Sequence, residues 1–81
     1  MEKETRIAIV GILVYDLNQA QKVNDILHDF SDIVIGRMGI PYQKSNVSII
    51  SVAVDGSMDK INSLTGKLGL IEGVSSKALW R

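Results

Sequence analysis

The chain has 81 residues, one domain's length, with nine Lys or Arg against nine Asp or Glu; the zero formal charge argues against an affinity for DNA or RNA drawn from counterion release. Hydrophobic residues make up 46% and charged residues 22%, too apolar for a disordered chain, yet no apolar run approaches the roughly 20 residues of a membrane span. Zero cysteines exclude disulfides, thiolate metal sites, iron–sulfur clusters and cysteine nucleophiles, and Met1 leads into Glu2-Lys3-Glu4 rather than a signal-peptide core, so a cytoplasmic protein without membrane contact is expected.

Residues 5–15 are β-branched and apolar almost throughout, the pattern of a strand buried on both faces. Asp16 stands at the N-cap position of a following helix, and Gln19, three residues on, completes a capping-box spacing. Leu17, Ala20, Val23, Leu27 and Phe30 form its apolar stripe, which places the first helix over about 17–30. A second strand is expected over 33–40, interrupted by Gly36 and Gly39 and ended by Pro41, which cannot donate to a ladder. Lys44, Ser45 and Asn46 read as a turn, and 47–54 as a third strand that ends, like the first, in an aspartate, Asp55. Ser57 is the N-cap of a second helix with Met58, Ile61, Leu64 and Leu68 at helical spacing and Asp59 against the positive end of the dipole. That helix ends near 67–69 with Gly69 in a left-handed C-cap, Glu72 and Gly73 turn the chain, and 74–80 form a fourth strand.

The order βαββαβ is that of the split βαβ, or ferredoxin-like, arrangement. The expected fold is α+β: a single domain over 1–81, with a four-stranded antiparallel sheet in spatial order 4-1-3-2 and two helices on one face. Strands 1 and 3 are apolar enough for the centre, whereas Arg37 in strand 2 and Ser75 and Lys77 in strand 4 belong on edges. The helix-free face of such a sheet should be polar if it meets water. Here Ile7, Ile9 and Leu13 are as apolar as the alternate set Ala8, Val10, Ile12 and Val14, and Ile49 opposes Ile50 and Val52. With 81 residues leaving no spare chain to cover that face, self-association as a homodimer or a dimer of dimers is expected.

His28, with Asp25 three residues before and Asp32 four after, has helical spacing for a metal. One imidazole without a second His or any Cys falls short of the four ligands usual for structural zinc, and a solvated acidic face is the better reading, so no metal or other cofactor is expected. The Gly66-Lys67 pair lacks the spacing of a phosphate-binding loop and lies at the wrong end of a helix. Base stacking on the sheet is excluded because strand 3 holds no aromatic residue. No nucleophile–base set or paired carboxylate can be assembled, so no enzyme activity is expected. The stretch Gly36-Arg37-Met38-Gly39-Ile40-Pro41-Tyr42 admits two readings. In one, the glycines let oligomer strands pack closely and Arg37 guards an edge; in the other, Gly36, Arg37, Gly39 and Tyr42 form a binding rim whose guanidinium takes a small anionic metabolite.

The segments Val23-Asn24-Asp25-Ile26-Leu27-His28-Asp29-Phe30, Ile35-Gly36-Arg37-Met38-Gly39-Ile40-Pro41-Tyr42, Ser48-Ile49-Ile50-Ser51, Leu64-Thr65-Gly66-Lys67-Leu68-Gly69 and Gly73-Val74-Ser75 span nearly the whole chain. In them the sequence resembles the regulators of the iron-only hydrogenase system, small bacterial proteins with an ACT-like, ferredoxin-like fold. The resemblance implies a non-enzymatic, oligomeric ACT-like domain that regulates or senses a small ligand. The broader likeness to ACT domains implies a ligand at a subunit interface near the turn after strand 1, around Gly11, Tyr15 and Asp16. The His and Cys ligands of the similarly folded nickel-responsive regulator have no counterparts beyond His28, and without a ribbon-helix-helix segment no direct nucleic-acid binding is expected. The alternative is a small oligomeric ferredoxin-like enzyme with its active site between subunits, which two titratable groups facing each other across an interface would favour.

Overall fold

A computed structural model describes residues 4–80; the charged start at Glu2 and Lys3 lies outside the described residues. Four strands, β1 (Arg6–Val14), β2 (Val34–Tyr42), β3 (Val47–Gly56) and β4 (Val74–Trp80), form one antiparallel sheet in the order β2-β3-β1-β4. Helix α1 (Ala20–Asp29) links β1 to β2 and helix α2 (Met58–Gly69) links β3 to β4. This is the ferredoxin-like order read from the sequence, with the two strands richest in apolar residues at the centre.

The core fills the space between the sheet and the helices. Ala8, Val10, Ile12 and Val14 of β1 and Ile50, Val52 and Val54 of β3 alternate onto that side, as the period of two requires. Val23, Leu27 and Phe30 meet them from the first helical segment, and Ile61, Leu64 and Leu68 from α2. Each of these side chains larger than Ala8 contributes about 1.5–3 kcal/mol on full burial. Among the described residues, no buried side-chain nitrogen or oxygen lacks a hydrogen-bond partner.

Local chemistry moved several boundaries. The first helix opens with a 3-10 turn, Leu17–Gln19, before the α-helix starts at Ala20. Asp16 caps this turn by accepting from the Asn18 N–H at 3.0 Å. Its own backbone N–H donates to the Gly73 carbonyl at 3.3 Å, so Gln19 reaches the Asp16 carboxylate instead of closing a capping box. Ser57 caps α2 as expected, accepting from the Lys60 N–H at 3.2 Å. Pro41 does not end β2; it pairs opposite Ser48, because an edge strand can leave one side of its ladder without a donor. The register slips between Val34 and Gly36, so the irregularity lies around Ile35.

Gly69 is the last residue of α2 rather than a left-handed cap, and Leu70 closes the helix in right-handed geometry, its N–H shared between the Gly66 and Lys67 carbonyls. The left-handed glycine is Gly73, at φ +81°, where β4 begins beside the end of β1. A Cβ there would lie 2.7 Å from the Asp16 Cβ, so both backbone conformation and space demand glycine. Beyond α1, the Asp32 carboxylate pairs with the Lys60 ammonium of α2. The hydrogen bond from Lys60 is the main reason that the Asp32 carboxyl sits below its ordinary value; slight desolvation works the other way.

Two predictions follow from these contacts. Gly73→Ala should destabilise the protein by about 1–3 kcal/mol in urea unfolding, whereas Gly66→Ala, in open space on α2, should stabilise it by about 0.5–1 kcal/mol. Asp32, followed by carboxyl NMR, should titrate below the reference value of about 3.9 and return toward it in Lys60→Met. A lowered folded-state value means that the pair's stabilisation is present above the unfolded pKa and lost as pH falls through the folded one.

Candidate functional site

Helix α1 carries Gln21, Asn24, Asp25 and His28 at positions i, i+3, i+4 and i+7, which places them along one polar face beside the buried stripe of Val23 and Leu27. That face looks onto edge strand β2. Arg37 pairs opposite Val52, whose side chain is buried on the helical side, so Arg37 projects toward α1 and not toward the bare side of the sheet. Its guanidinium donates to the Asn24 Oδ1 at 2.9 Å. Gln21 donates to Asp25 at 2.8 Å along the helix. Between helix and strand lies a cleft of about 440 Å³, rimmed by these groups with His28 and Ser31 and backed by Leu27, Val34 and Val52.

The residues expected to form one binding rim on β2 are divided by the sheet. Gly39 shares the Arg37 side, while Gly36, Met38, Ile40 and Tyr42 lie on the other, in register with Ala53, Ser51, Ile49 and Val47. Nothing lies within 4 Å of a Cβ built on Gly36 or Gly39, so both leave open space along the strand. Gly11 sits on the bare side between Ser51 and Lys77, in a shallow hollow of about 560 Å³ walled by Leu13, Ile49 and Ser75. Tyr15 is exposed beyond the end of β1, its backbone N–H held by the Gly73 carbonyl at 2.7 Å. Asp16 spends its carboxylate on its own turn. Gly11 therefore opens a hollow in mid-sheet, and Asp16 serves a turn at the sheet's end.

The bare side is largely apolar, with Ser51, Asp55, Ser75 and Lys77 among its residues. Ile7, Ile9, Met38, Ile40, Ile49 and Leu79 remain 39–72% exposed there, and neither helix lies over them. Within the single chain the first strand is buried on one side, and its second apolar set faces away from the helices.

His28 and Asp25 belong to the cleft, whereas Asp32 is drawn to Lys60, so the three do not converge. Among the described residues, no group of three or more His, Cys, Asp or Glu could hold a metal ion. Lys67 stands 5.5 Å from the centroid of the Phe30 ring, in the last turn of α2, and forms no phosphate loop with Gly66. Asn24, Gln21 and Ser31 were missed as site residues. Gln21 and Asn24 share the i, i+3, i+4, i+7 spacing on α1 with Asp25 and His28, whereas Ser31 lies past the helix end and carries no such signal; that β2 would bring Arg37 against Asn24 depends on a crossover no local pattern records.

A family model described as "Iron-only hydrogenase system regulator, putative" (TM1266-like) matches residues 6–78. The solved structure of "uncharacterized protein TM1266 from Thermotoga maritima" superposes with a TM-score of 0.91 at 36% sequence identity, covering 95% of this chain and 98% of that one. No curated protein matches. The family description names a regulator and not an enzyme. No described helix is long and apolar enough to cross a membrane.

Proposed function

The chain belongs to the TM1266-like family, and from that premise we propose that it is a cytoplasmic, non-enzymatic ACT-like regulatory domain of an iron-only hydrogenase system. In this reading it assembles with copies of itself and senses a small anionic ligand. The observation that carries the reading is the bare apolar side of the sheet. Ile7, Ile9 and Leu79 toward one end of that side and Ile40 and Ile49 toward the other, with Met38 on the row of Gly11, Ser51 and Lys77 between them, spread exposed apolar side chains over all four strands. At roughly half exposure each, their burial against a partner contributes on the order of 5–10 kcal/mol. That offsets much of the cost of association, which runs from about 4 to 15 kcal/mol. A second copy presents the same surface, which suits a two-fold, self-complementary contact.

The cleft supports the sensing half of the reading. Its rim is rich in donors, and its one carboxylate, Asp25, already accepts from Gln21. Strand β2 links the two surfaces: Arg37 points into the cleft, and its neighbour Met38 points to the bare side. Occupying the cleft would bias the position of an edge strand that also shapes the assembly face, and by linkage assembly would bias ligand affinity equally. The composition without cysteine accords with a reducing compartment.

In sedimentation equilibrium at micromolar concentration, the protein should run as a dimer or dimer of dimers of the 8.9 kDa chain. Ile9→Lys places an unpaired charge in the proposed contact and should weaken association about 100-fold or more while the circular dichroism spectrum is kept. A wild-type monomer, or an Ile9→Lys variant that associates as before, would contradict the assembly.

A further inference from the structure

We infer that the cleft between α1 and β2 is a binding site for a compact organic monocarboxylate with an apolar body. The inference deepens the ligand-sensing half of the proposed function and rests on it. Three features of the cleft select this class.

The first is the way Arg37 is held. One of its N–H groups is spent on the Asn24 carbonyl oxygen at 2.9 Å, which ties the guanidinium to the rim of the cleft. The remaining N–H groups of the fork match the two oxygens of a carboxylate, a planar and bidentate acceptor. With its oxygen so engaged, the Asn24 amide keeps its N–H₂ as a further donor, and the Ser31 hydroxyl and His28 ring stand on the same rim.

The second is charge. Two of the four α1 residues on the rim, Asp25 and His28, lie in the carboxyl-terminal half of the helix, which ends at Asp29. The negative end of the helix dipole and the Asp25 carboxylate both disfavour a doubly charged anion there. A phosphate is best held by the backbone N–H groups of a helix amino terminus or a nest, whereas here even Gln21, in the first turn of α1, reaches the cleft as a side chain that already donates to Asp25. A single negative charge set against Arg37 fits this field.

The third is the wall. Leu27 and Val52 are buried and Val34 half-buried behind the polar rim, so the site offers a small apolar surface next to its donors. Its volume, about 440 Å³, lies in the range of small-molecule sites. An inorganic anion would leave that wall unused, whereas a short branched acid would cover it.

The test is an NMR titration of the full chain, recording amide and methyl shifts, with three probes: isovalerate, the uncharged isovaleramide, and inorganic phosphate. Isovalerate should shift Asn24, His28, Ser31 and Arg37 together with the Leu27 and Val34 methyls, and both other probes should bind about tenfold or more weakly. Arg37→Gln should weaken isovalerate binding about 10- to 100-fold, and Asn24→Ala severalfold, with dispersed spectra confirming that each variant is folded. Phosphate binding more tightly than isovalerate, shifts confined to the region of Gly11, Tyr15 and Asp16, or an Arg37→Gln variant with unchanged affinity would overturn the inference while leaving anion sensing in place. Absence of shifts with every probe would overturn both. The sedimentation result stands independently of either outcome.

Discussion

The sheet must present apolar side chains on both faces while the chain supplies helices for only one. Everything else in the structure follows from that imbalance. On the helical side, Val10, Val52, Val54, Ile61, Leu64 and Leu68 are wholly buried and form a core without polar interruption. On the other side the same central strands expose Ile7, Ile9 and Ile49, a patch of the kind that marks an interaction surface on a protein of this size. In a β-strand the two faces cannot be tuned independently of register, since neighbouring residues point to opposite sides. An apolar run such as 7–14 therefore leaves a second apolar surface on the side the helices do not cover.

Edge strand β2 is where the two surfaces meet. Its alternation sends Arg37 to the α1 side and Met38 and Ile40 to the bare side. The strand lies at the sheet's border, carries a register slip near Ile35, and has two glycines with open space where side chains would stand. Such a strand is easier to displace than the central pair, whose residues are locked into the core. In the proposed function, a ligand on Arg37 and a partner on Met38 act on one deformable element, the physical requirement for one to influence the other.

Much of this was legible in the sequence, because it depends on local periodicity. The apolar runs, the Ser57 cap, the α2 stripe and the placing of Arg37 and Lys77 on edge strands all emerged from short-range patterns. What could not be read depended on contacts between distant segments. Gly69 follows an apolar helix and resembles a C-cap, but Gly73 is the residue pressed against Asp16, and only the β1–β4 pairing makes that so. Pro41 reads as a strand stop until its strand is known to be an edge with a free side. Arg37 and Tyr42 look like neighbours on one rim, yet an odd separation of five puts them on opposite faces of a continuous strand. Asn24, the residue that orients Arg37, lies 13 positions away on a helix, and nothing in its immediate surroundings announces the contact.

The central claim is that the bare apolar side of the sheet is where copies of the chain meet. It can be tested most directly by mixing methyl-labelled and unlabelled protein and recording isotope-filtered NOEs, which report only contacts between different chains. The account predicts intermolecular NOEs to the methyls of Ile9, Met38, Ile40 and Leu79, all on that side. Intermolecular NOEs confined instead to exposed residues away from it, such as Leu17 and Leu70, or none at concentrations well above micromolar, would contradict it.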